Sequence, residues 1–102
     1  MKIFNTKTLQ AFPFSERDKN VFFQVEEFKM RIIKLDSEQQ LPDCQMVSYV
    51  VFLLISGEVE VIVDNQKSVL KEGELLVSEP AKFSMKALKS SRLAGIQINK
   101  LQ

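Results

Sequence analysis

The chain has 102 residues, room for one domain, and its 45% hydrophobic and 26% charged residues are a globular balance. Lys+Arg 14 against Asp+Glu 13 leaves a net charge of +1, so no surface field gathers nucleic acid or anionic lipid. Histidine is absent and there is one cysteine, which removes the commonest transition-metal ligand and any internal disulfide. In the opening MKIFNTKTLQAFPF, Asn5 to Thr8 interrupt the apolar run that a signal peptide needs. The longest apolar run, Tyr49 to Ile55, is too short to cross a bilayer. A soluble, cytoplasmic protein with no nucleic-acid or membrane partner is expected.

In chain order, Lys2-Ile3-Phe4 and Ala11 to Phe14 read as extended, because Pro13 disfavours helix at the residue before it. Ser15 to Asn20 is a polar loop or single turn. Val21 to Val25 and Phe28 to Leu35 read as strands, with a polar turn from Asp36 to Gln40. Leu41-Pro42-Asp43 begins the next extended stretch, and Cys44 to Ile55 reads as one long strand. Beyond Gly57, Glu58 to Val63 mostly alternates, and Asp64-Asn65 makes a tight turn into Gln66 to Leu70. Lys71-Glu72-Gly73 turns into Glu74 to Ser78, Pro80 bends the chain, and Ala81 to Ala87 and Arg92 to Asn99 finish it. About eight or nine short strands with no amphipathic helix predict an all-β sandwich or barrel.

From about Leu41 to Ile98 the order of features resembles the cupin superfamily. The resemblance rests on Leu41-Pro42, the strand ending Ile55-Ser56-Gly57-Glu58-Val59-Glu60-Val61, and the turn Asp64-Asn65. It continues through Leu70-Lys71-Glu72-Gly73-Glu74, Val77-Ser78-Glu79-Pro80 and Gly95-Ile96-Gln97-Ile98. It implies a double-stranded β-helix, or jelly-roll, barrel over residues 1–102, with N-terminal strands in 1–40 and a cupin core in 41–99. Counting from Gly57 and Gly73, the positions where the family keeps its metal ligands fall on Cys44, Met46, Val50 and Ser84. These do not make a ligand set for a divalent ion, so no metal and no cofactor is expected.

On a single long strand, Cys44, Met46, Ser48, Val50, Phe52 and Leu54 share one face, which the resemblance turns into the barrel. Phe28, Met30 and Ile32 would add apolar walls from a neighbouring strand. This lining of sulfur, methyl and aromatic groups suits a small, largely apolar molecule. The same side chains also read as plain core, and the residues leave both readings open. The opposite face of the strand (Val47, Tyr49, Val51, Leu53 and Ile55) is apolar as well and needs a cover. A second copy of the chain is the expected one.

The leading expectation is a metal-free, homodimeric cupin-like barrel that binds a small apolar molecule through Cys44, Met46, Val50, Phe52, Ser84, Met30 and Phe28, with no catalytic residue assigned. One alternative is a metal-independent isomerase or lyase using Cys44 or a carboxylate such as Glu26 or Glu27. Cys44 lacks an imidazole to activate it, and Lys82 and Lys86, which could supply a positive field, read as surface lysines. The other alternative is a structural or regulatory interaction protein with no ligand.

Overall fold

The structure, a computed structural model, describes residues 1–99. A 3-10 segment, Phe14–Asn20, leads into nine strands: β1 Val21–Gln24, β2 Phe28–Leu35, β3 Gln40–Met46, β4 Tyr49–Ser56 and β5 Glu58–Val63, followed by β6 Gln66–Lys71, β7 Leu75–Ser78, β8 Ala81–Ala87 and β9 Ser91–Ile98. They form two antiparallel sheets. One has the order β1-β2-β9-β4-β7 and the other β3-β8-β5-β6. Local chemistry explains the joints. Asp64 and Asn65 take positive φ of 47° and 69°, as a two-residue hairpin with right-twisted strands requires. Gly57 turns the corner between the sheets at φ 96°, where an added Cβ would meet Ser91 Oγ and lie 2.5 Å from the Ser90 carbonyl oxygen.

The sheets close on each other at one end. Leu35, Leu54, Val59, Val61, Leu70, Met85, Ala87 and Leu93 form a contiguous buried cluster there. The alternation of β5 explains its share, since Val59 and Val61 point in while Glu58 and Glu60 stay half-buried on the other face. A second, smaller cluster of Val50, Ala81 and Phe83 lies towards the open end.

Two expectations need correction. Cys44 to Ile55 is not one strand. It breaks at Val47-Ser48, with β3 in the four-stranded sheet and β4 in the five-stranded one. No glycine or proline marks the crossing, so the apolar run hides it. A register irregularity between Leu41 and Cys44 also shifts the parity of β3 against β8. The second correction concerns the N-terminus, where no strand precedes Val21. Residues before the 3-10 segment are tied down by side chains instead. Asn20 accepts from the Phe12 amide at 2.7 Å and donates to the Phe12 carbonyl at 3.0 Å, while Arg92 Nε donates to the Thr6 carbonyl at 2.6 Å. Phe4 packs edge-on against Phe22 at 5.0 Å.

Candidate functional site

The open end of the barrel holds a cavity of about 570 Å³ between the two sheets. Strand register builds its first wall in rows. Deepest, Ile33 of β2, Leu93 of β9 and Leu54 of β4 are aligned neighbours beside the closed core. The next row is Arg31, Gly95, Phe52 and then Leu76 of β7, and the row beyond is Lys29, Gln97, Val50 and Ser78. The wall therefore grades from aliphatic to cationic and amide towards the opening. Opposite it, Leu41, Cys44 and Met46 of β3 pair with Met85, Phe83 and Ala81 of β8. Phe14 and Arg17 of the 3-10 segment reach the rim.

Phe52 and Phe83 meet across the cavity with ring centroids 6.0 Å apart and planes at 63°, a favourable edge-to-face contact. Gly95 makes room for that ring. A Cβ there would come 3.1 Å and 3.3 Å from two Phe52 ring carbons.

Of the candidate lining, Cys44, Met46, Val50 and Phe52 are brought together around this space, despite the break that puts them on two sheets. Ser84 borders it too, but on β8 the buried face belongs to Phe83 and Met85 and strand alternation turns Ser84 the other way. Phe28 and Met30 are not in the lining. The cavity-facing positions of β2 are Lys29, Arg31 and Ile33. Phe28 stacks at 5.8 Å on Phe23 of the N-terminal region instead. That aromatic cover makes the outer face of β2 apolar, so the rule of polar-out alternation assigns its two faces the wrong way round.

The surroundings of Cys44 bear on catalysis and on metals. Its side chain is exposed, and its sulfur lies 3.6 Å from that of Met46. Lys82 pairs with Asp43 at 3.6 Å and Lys86 with Glu38 at 3.3 Å, so both cations already have carboxylate partners. Glu26 and Glu27 sit in the β1–β2 turn, away from the cavity, where their carbonyls accept from Asn99. Tyr49 lies half exposed outside the barrel. The metal-associated positions of the fold offer a thiol, a thioether, an isopropyl group and a hydroxyl. Among the described residues no three acidic or cysteine side chains converge, and Lys29 and Arg31 bring positive charge to the same space. These residues do not fit a divalent ion.

Solved structures share the fold. A protein of unknown function from Streptococcus pyogenes superposes with a TM-score of 0.74 at 14% identity, over 80% of this chain and 73% of that one. A cupin superfamily protein from Desulfitobacterium hafniense gives 0.74 at 12% identity, over 78% and 74% of the two chains. An RmlC-like cupin from Shewanella frigidimarina gives 0.68 at 18% identity, over 74% and 69%. No family model and no curated protein matches the sequence. The chain has the cupin fold, a jelly-roll barrel of two antiparallel sheets.

Proposed function

We propose that this cupin-fold barrel is a metal-free binding module that takes up a small molecule with a largely apolar body between its sheets. The observation that carries the reading is the cavity of about 570 Å³. That volume lies in the range of small-molecule sites, roughly 300–1,000 Å³. Val50, Phe52, Phe83 and Met85 offer apolar contact along the cavity, and among the described residues its one thiol, Cys44, has no imidazole beside it. A cytoplasmic location accords with the single unpaired cysteine. Among the described residues, no helix is long and apolar enough to cross a membrane.

The module works as a homodimer in this reading, with the outer face of the five-stranded sheet as the interface. Leu75 and Val77 of β7 are 60% and 68% exposed, and Tyr49 and Ile98 are 50% and 41% exposed. Val51 and Leu53 lie in register between β7 and β9, facing the same way. The patch formed by Leu75, Val77, Tyr49, Ile98, Val51 and Leu53 includes no Asp, Glu, Lys or Arg, while Lys34 and Arg92 lie farther along the same face on β2 and β9. Native mass spectrometry of freshly purified protein tests both parts, with a dimer retaining a small organic molecule expected. A metal analysis showing stoichiometric zinc, iron, nickel or manganese would overturn the metal-free reading.

A further inference from the structure

The rows of the cavity wall differ in charge as well as polarity. Lys29 and Arg31 occupy inward positions of β2, beside Gln97 and Gly95 on β9, and are only half-buried. Arg17 adds a third cation at the rim, stacked 4.4 Å from the Phe14 ring. Asp43 is the one carboxylate in the lining, and it pairs with Lys82 at 3.6 Å. The ion pairs among the described residues use Lys19, Lys67, Lys82, Lys86 and Lys89, and none involves Lys29 or Arg31. A whole-chain charge of +1 does not account for this local excess.

Two half-buried cations are stabilised by an opposite charge, and among the described residues the one carboxylate in the lining, Asp43, is paired with Lys82 instead. We infer that the molecule taken up by this cavity is a monocarboxylate whose carboxylate is held by Lys29 and Arg31 while its apolar body lies on Phe52 and Phe83. The inference rests on the proposed binding role of the cavity and adds the class of ligand to it. The guanidinium offers paired N–H donors matched to two carboxylate oxygens, and the ammonium adds a compact charge one row further out. The Gln97 amide, in register with Lys29, can donate at the same end. The deeper rows have nothing to offer a charge, so the ligand has one polar end.

The test uses three compounds with one skeleton: 4-phenylbutanoate, 4-phenylbutan-1-ol and 4-phenylbutylamine. Each is titrated into the ¹⁵N-labelled full chain near neutral pH, following the amides of Phe52, Gly95 and Gln97. The carboxylate is expected to bind roughly ten- to a hundredfold more tightly than the alcohol, as charged hydrogen bonds imply, and the amine most weakly. In the K29Q/R31Q double variant the carboxylate weakens most and its affinity converges on that of the alcohol. Equal affinities in the unsubstituted protein overturn the anion inference and leave the binding role standing. A carboxylate preference that survives the double substitution also overturns it. Failure of all three compounds to shift the cavity amides overturns the binding role, and the ligand class with it.

Discussion

Gly57 and Gly95 are both required for room, in different ways. At Gly57 the obstacle is backbone, with the Ser90 carbonyl oxygen and Ser91 Cα at 2.5 Å and 2.7 Å from a built Cβ, and φ is positive. Gly57→Ala is expected to cost at least about 1–3 kcal/mol, read as a lower denaturation midpoint at unchanged slope. At Gly95 the obstacle is the Phe52 ring, which can move. Gly95→Val should therefore fold but displace the ring and narrow the cavity, lowering 4-phenylbutanoate affinity about tenfold or more, with stability lowered by about 1–3 kcal/mol. Ser91 supports the same corner as Gly57, accepting from the Glu58 amide at 3.0 Å and donating to the Lys89 carbonyl at 2.7 Å. Gly57 could be read from the sequence because a corner glycine has few substitutes. Gly95 sits in a strand at an ordinary φ, and its need for space arises only when Phe52 arrives from another strand.

Strands show where one-dimensional reading succeeds and where it stops. The sequence bounds β2 at Phe28–Leu35, as the structure does, but Lys29, Arg31 and Ile33 line the cavity rather than Phe28 and Met30. Alternation says which residues share a side, not which side is inside, and on β2 both sides carry apolar groups. Phe28 is taken up by Phe23 of the neighbouring β1, which Phe4 in turn covers from the N-terminal segment. The break between β3 and β4 was hidden for a similar reason, because Val47 and Ser48 lack turn chemistry and the crossing is imposed by sheet closure. The irregular N-terminal region depends on Asn20, buried to 5% exposure with both amide atoms bonded to Phe12. Asn20→Ala is expected to destabilise by about 1–3 kcal/mol and to speed hydrogen exchange at the Phe12 amide, leaving the β5 and β8 amides protected.

For the whole molecule, the two sides of the five-stranded sheet differ in chemistry. Its inner face provides the graded cavity wall and its outer face the apolar surface of Leu75, Val77, Tyr49 and Ile98. Val77→Glu is expected to halve the sedimenting mass while leaving 4-phenylbutanoate affinity within about twofold. An unchanged mass would remove this face from the interface. The jelly-roll class was legible as a whole because turns and glycines recur in order from Leu41 to Ile98. The charge inside it was not, since Lys29 and Arg31 lie outside that stretch and look like ordinary surface residues until β2 is laid against β9.

The one thiol of the chain sits on the rim of the cavity, exposed, with the Met46 sulfur as its polar neighbour and with neither core cluster built on it. That placement makes the protein its own reporter. A fluorophore or spin label attached to Cys44 has a single point of attachment, on β3, where it looks across the opening at β2 and β9. Its emission or mobility would register the filling of the barrel as it happens, with no residue changed to install it.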